Sequence, residues 1–172
     1  MVRPVGGIRA QFVRKMADKV LKDSKITAPP VDLRTIVRAH GIEYCEMVDF
    51  PDTVDALIIQ EGNRVYAAIN ANQHVHRQRF SLAHELGHYF LHRGGTVEEL
   101  VTIDNPPDEE AGAPAKDPNE READLFAGEL LVPLAMLKLH AGKHIPDLAK
   151  LFLVSEQVAS IAVSRHMKAL FK

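Results

Sequence analysis

Near the middle of the chain stands His84-Glu85-Leu86-Gly87-His88, two histidines four residues apart with a glutamate directly after the first. In an α-helix, residues four apart share a face, so both imidazoles can address one ion. Glu85 falls about 100° round from His84, within reach of a water on that ion but not placed to displace it. The pattern suits a divalent cation with an open coordination position and a neighbouring carboxylate that moves a proton. Composition favours metal over thiol chemistry. The chain holds nine histidines, of which His74, His76, His84, His88 and His92 lie close together, and one cysteine. A single cysteine excludes an intramolecular disulfide framework and any Cys-rich metal knuckle. Cys45 has no His or Asn partner placed by the sequence and reads as a lone buried thiol rather than a nucleophile.

The helix carrying this pair is apolar on two sides. Phe80, His84, Gly87, His88 and Leu91 fall on one, and Leu82, Ala83, Leu86 and Phe90 on the other. Such a helix is buried, and paired histidines there need a partner. Gly87 costs about 1 kcal/mol against Ala in mid-helix, which points to close backbone approach. A third protein ligand is required. His140 and His144 are also four apart, but Gly142 between them and Pro146 beyond spoil a shared helix face. Acids between Glu98 and Glu110 lie in a loop-like stretch that would hold a ligand poorly.

The helix after Asp117 offers Glu120, Glu122, Asp124 and Glu129, with an apolar face of Ala123, Phe126, Ala127, Leu130 and Leu131. Glu120 and Asp124 fall within or beside that face. Glu122 falls beside Glu129 on the polar flank. Glu120 is therefore the first choice as ligand, and Asp124 as the acceptor that orients a metal-bound histidine. Glu122 is the alternative ligand, set against a place on a solvated face. Asp117 as N-cap with Glu120 at N3 also makes a capping box, with Pro118 at N1, so two uses compete for one carboxylate. His92, one turn beyond His88, is a candidate supporting residue.

The elements that must position these groups read as α+β: a small antiparallel sheet packed on the active-site helix, followed by a mainly helical C-terminal part. Phe12, Val13, Met16, Val20 and Leu21 predict a helix over 8–22, and Leu33, Ile36 and Val37 a shorter one over 31–40. Strands are expected over 42–48, 54–60 and 65–70, with Gly62-Asn63 as a hairpin turn. The central helix is expected from about 71 to 93. Gly94-Gly95, Pro106-Pro107, Gly112, Pro114 and many acids make 94–117 a long loop, a candidate lid over the site. Helical spacing returns over 118–132, and Pro133 ends it. Residues 1–132 are read as the metal-bearing domain and 133–172 as a helical subdomain packed on it, a single compact unit.

In that tail, Leu148 to Ser155 and the run to Arg165 have the rhythm of a helix-turn-helix, with Ser155 as N-cap. Leu153 stands where Gly is common, and the second helix has no basic residue before Arg165, which disfavours direct nucleic-acid binding. The balance of 21 Lys+Arg against 23 Asp+Glu, a net charge of −2, excludes a strongly basic nucleic-acid binder. No apolar run approaches the roughly 18 residues of a membrane span. The first residues lack the apolar core of a secretory signal, so a cytoplasmic setting without membrane association is expected.

Two blocks resemble the ImmA/IrrE family of metallo-endopeptidases: Arg79-Phe80-Ser81-Leu82-Ala83-His84-Glu85-Leu86-Gly87-His88-Tyr89-Phe90-Leu91-His92, and Glu120-Arg121-Glu122-Ala123-Asp124-Leu125-Phe126-Ala127-Gly128-Glu129-Leu130-Leu131-Val132-Pro133. With the strands ahead of the first block, the likeness spans roughly Ile42 to Pro133. It implies a zinc-dependent, thermolysin-like, glutamate-liganded peptidase in which His84, His88 and Glu120 hold the metal and Glu85 is the base. It also implies cleavage of intracellular regulators, typically helix-turn-helix repressors, in stress or mobile-element responses. The family often has Asn where Asp124 stands and Met where Val132 stands. Ligands of this type accept Mn²⁺ as well as Zn²⁺. Two other classes of function compete: a non-catalytic metal-binding regulator that shares the ligands, needs no Glu85 and sequesters a repressor, and a DNA-binding protein using the C-terminal helices.

Overall fold

Short polar side chains set where several helices begin. Asp32 accepts from the backbone N–H groups of Arg34 and Thr35, Asp117 from that of Asn119, and Ser155 from that of Val158. The computed structural model describes residues 7–51, 53–92 and 117–170. Their elements, in chain order, are α1 (Ala10–Asp23), α2 (Leu33–Ala39), β1 (Ile42–Met47), β2 (Ala56–Glu61), β3 (Arg64–Asn70), α3 (Val75–Leu91), α4 (Pro118–Leu131), α5 (Leu134–Lys138), α6 (Ile145–Phe152) and α7 (Glu156–Leu170). This is the α+β class. The long loop expected over 94–117 lies, apart from Asp117, outside the described residues.

The three-stranded sheet has the order β1-β3-β2. β2 and β3 form the expected hairpin around Gly62-Asn63, with Ile58 opposite Ala67, and Gly62 takes the positive φ (+58°) such a tight turn needs. β1 runs parallel to β3, with Tyr44 opposite Ala67, so the sheet is mixed rather than antiparallel throughout. The cause is the crossing after β1: β2 starts at the end where β1 finishes, one strand-width farther out, and the hairpin lays β3 into the gap. Residue alternation does not encode that order. Ile42, Ala56, Ile58, Ala67 and Ile69 join the core, where α3 covers their face of the sheet. Cys45 falls on the opposite face of β1 and is exposed, not buried as expected.

Helix α3 starts four residues later than its periodicity predicts. Asn70 turns the chain first: its amide donates to the Val54 carbonyl and its oxygen accepts from the Asn72 N–H, both at 3.0 Å, and His74 then caps the helix. Residues Ser81 to Tyr89 of α3 are buried without interruption. Helix α4 lies along α3, and α1 lies along α4. The closest approach is at Gly87, where an added Cβ would come 3.0 Å from Ala123 Cα and 3.2 Å from its carbonyl oxygen.

The C-terminal helices are tied to α3 through Arg79. Its Nε donates to the Leu153 carbonyl and its Nη2 to the Val31 carbonyl, each at 2.9 Å. Leu153 closes α6 in the left-handed conformation (φ +54°), which costs a non-glycine residue about 1–2 kcal/mol. Arg79→Ala is expected to remove both charge-assisted bonds and lower stability by about 2–3 kcal/mol. In a chain of this size that is a fall of roughly 5–10 °C in Tm, measurable by circular dichroism. An unchanged Tm would show that the α6–α7 turn holds without α3.

Candidate metal centre

Helix α3 supplies two imidazoles and the first turn of α4 supplies a carboxylate. His84 is fully buried, and Glu85 and His88 are nearly so. His84 Nε2 and His88 Nε2 lie 3.0 Å apart. Glu120 faces both, with Oε1 3.0 Å from His88 Nε2 and Oε2 3.3 Å from His84 Nε2. One ligand atom from each of the three residues falls within 4.8 Å of the others. Among the described residues no other trio of His, Cys, Asp or Glu does so.

The second nitrogen of each ring determines what the first can do. His84 Nδ1 lies 2.9 Å from Asp124 Oδ1. An ionised carboxylate only accepts, so Nδ1 carries the proton and Nε2 presents its lone pair. His88 Nδ1 lies 3.3 Å from His92 Nδ1, and His92 Nε2 lies 3.1 Å from Glu122 Oε2. If Glu122 takes the Nε2–H of His92, the remaining nitrogen of His92 accepts from His88 Nδ1–H. His88 then also turns a lone pair inward.

Two imidazole lone pairs and a carboxylate packed this closely repel one another unless a cation lies among them. The donor set fits a tetrahedral Zn²⁺ site with one position open, and Mn²⁺ accepts the same donors. A proton shared in that position acts in the same sense. Hydrogen bonds from the His84 and His88 side chains then hold the Glu120 carboxyl far below the usual carboxylate range, against the opposing effect of burial.

The structure brings Asp124 and His92 to these ligands, with Glu85 between them on α3. Glu120 makes no capping box, since its oxygens face the histidines and Asp117 caps the helix through the Asn119 N–H at 2.7 Å.

The polar flank of α4 corrects the sequence reading. Glu122 is fully buried rather than solvated, and it is not among the converging ligand atoms. Arg9 grips it with backbone N at 2.7 Å, Nε at 3.0 Å and Nη2 at 2.6 Å. Burial pushes the Glu122 carboxyl up, but these bonds outweigh it and bring the group down to about 2. Glu129 is buried as well, 3.0 Å from His166 Nε2 and 3.2 Å from Arg14 Nε. A helical wheel reports the polarity of a flank, not what docks there. The available signal is Arg9 and Arg14, five residues apart near the start of the first helix, which match these two acids. Of the remaining histidines, His140 stands edge-on to Phe152, and His74 pairs with His76 at the start of α3.

The spacing of ligands from carboxylate is set where Gly87 meets Ala123. Gly87→Ala would force the helices apart by a few tenths of an ångström. Overpacking of about 1–3 kcal/mol is then set against about 1 kcal/mol gained in helix propensity. Stability should change little while Zn²⁺ affinity, measured by chelator competition, falls several-fold. Unchanged affinity would show that the site tolerates separation of α3 from α4.

A family model for the IrrE N-terminal-like domain, a peptidase family, matches residues 49–164. Metallopeptidase ImmA of Bacillus subtilis (strain 168) is 38% identical over 69 residues, covering 40% of this chain and 36% of that protein. The matched part is thus about a third of the curated relative's length. In fold, the chain is similar to a Mycobacterium tuberculosis transcriptional regulator, with a TM-score of 0.62 and 16% identity over 89% of this chain and 46% of that one. Since the family model covers well over half of its 172 residues, the chain belongs to the peptidase family of the IrrE N-terminal-like domain.

Proposed function

We propose that this protein is a zinc-dependent endopeptidase that cleaves a cytoplasmic protein regulator, a helix-turn-helix repressor, in a stress or other regulatory response. The observation that carries the reading is the convergence of His84 Nε2, His88 Nε2 and the Glu120 carboxylate beside the buried Glu85. Family membership and the likeness to a metallopeptidase support it. Among the described residues no helix is long and apolar enough to cross a membrane.

In this reading His84, His88 and Glu120 hold the metal, with Zn²⁺ favoured and Mn²⁺ compatible. A bound divalent cation supplies Lewis acidity towards the scissile carbonyl and acidifies a coordinated water. Glu85 accepts the proton of the attacking water and returns it to the nitrogen of the leaving amine. Asp124 holds His84 by its outer nitrogen and His92 holds His88, so neither ring can rotate away. Residues 1–132 form the catalytic part and 133–172 a helical part that recognises protein. The exposed residues of α7 support protein over DNA, because Glu156, Gln157, Ser160, Ile161, Ser164 and Met167 offer a phosphate backbone no positive charge and Lys168 stands near the end of the helix.

Two variants test the reading. Glu85→Gln should retain stoichiometric zinc by elemental analysis and lose cleavage of a repressor encoded beside the gene by about 100-fold or more on co-expression. Cleavage at the wild-type rate would overturn the base assignment. Wild-type protein that binds zinc and represses the repressor's action without cutting it would instead indicate sequestration. Glu120→Ala should lose its zinc on dialysis, and full retention would remove Glu120 from the ligand set.

A further inference from the structure

Behind the ligands a second line of side chains leads away from the metal centre to the start of α1. It runs from His88 Nδ1 to His92 Nδ1 at 3.3 Å, from His92 Nε2 to Glu122 Oε2 at 3.1 Å, and from Glu122 Oε2 to Arg9 Nη2 at 2.6 Å. We propose that Arg9 and Glu122 are positioning residues for the metal site, acting through His92 to fix the ring and tautomer of His88. This rests on the metal-site reading above and adds to it two residues from outside the motif.

The argument is one of direction. Arg9 has only donors to offer, and it engages both oxygens of Glu122 through Nε and Nη2 and a third time through its own backbone N–H. Glu122 between the two cationic and imidazole groups therefore accepts on both sides. His92 must give it the Nε2–H, and this leaves His92 Nδ1 as an acceptor for the proton on His88 Nδ1. Each link permits one orientation of the next, and the last presents His88 Nε2 to Glu120. Geometry adds a second reason. His92 is the C-cap residue of α3, at a helix end where side chains are least constrained by neighbours on the same helix. Glu122 is fully buried on α4, and Arg9 fixes it from α1, so the ring is anchored from outside its own helix.

A neighbouring network separates positioning from simple packing. Arg14 of α1 binds buried Glu129 of α4, which binds His166 of α7. It joins the same two helices with the same residue types, but it leads to α7 and not to a ligand.

The test compares full-length wild type, Arg9→Ala, Arg14→Ala and His92→Phe, using Zn²⁺ alone as the probe. Affinity is read by competition with a chromophoric chelator, and ligand geometry by the visible absorption of the Co²⁺-substituted protein. Arg9→Ala should weaken Zn²⁺ binding about 10-fold and His92→Phe by up to about 100-fold, each with a shifted Co²⁺ spectrum. Arg14→Ala should leave both readouts at wild type even where it lowers Tm as much as Arg9→Ala does. Arg9→Lys, which keeps one donor, should recover part of the loss. If Arg9→Ala does not fold, His92→Phe, which keeps an aromatic ring at the position and removes both hydrogen bonds, decides the matter. Wild-type affinity in His92→Phe, or equal effects of Arg9→Ala and Arg14→Ala, would overturn the proposal. Wild-type protein without Zn²⁺ affinity would overturn the metal-site reading itself, a distinct outcome.

Discussion

A ligand set drawn from two helices exists only if those helices are held at one separation. Here Gly87 on α3 lies against Ala123 on α4, so close that an added Cβ would stand 3.0 Å from Ala123 Cα and press the helices apart by a few tenths of an ångström. The two histidines are four residues apart on one helix, and Glu120 and Asp124 are four apart on the other. Two matched helical spacings therefore meet across one contact. The candidate ligand Glu120 and the carboxylate of Asp124 arrive together on α4, just as the two histidines arrive together on α3. A methyl group between them would shift each pair away from the other.

Much of this is legible in the sequence, for a physical reason. Helical spacing is a strict rule, so the shared face of His84 and His88 and the inward placement of Glu120 and Asp124 follow from position in the sequence. The cost of a mid-helix glycine likewise pointed to close approach at Gly87, which the contact with Ala123 explains. What stayed hidden depends on partners distant in the chain. Glu122 and Glu129 look like solvated acids until α1 and α7 are docked against them. Cys45 looks like a core residue until the sheet order leaves its face open. The parallel pairing of β1 with β3 is invisible because alternation marks faces, not neighbours. Helix α3 starts later than its periodicity predicts because the Asn70 side chain holds a turn that competes with the first helical residues.

The docking of α1 on α4 also differs from an ordinary apolar seam. Val13, Ala17 and Val20 contribute the apolar part, while Arg9 and Arg14 each meet a buried carboxylate. Ion pairs of this kind are costly to desolvate and contribute little net stability. They do penalise misplacement, since a slipped α1 would take the guanidinium groups away from the buried Glu122 and Glu129 and leave each with its histidine partner. The seam is thus specific in register as well as adhesive.

The turn between α6 and α7 has a mechanical consequence. Arg79 holds that turn by the Leu153 carbonyl, and Arg79 sits on α3 five residues ahead of His84. The C-terminal pair of helices is thereby clamped to the same rod that carries the two histidines. Whatever surface α7 presents is thus held at a fixed offset from that rod, set by the packing of the fold and not by a flexible joint.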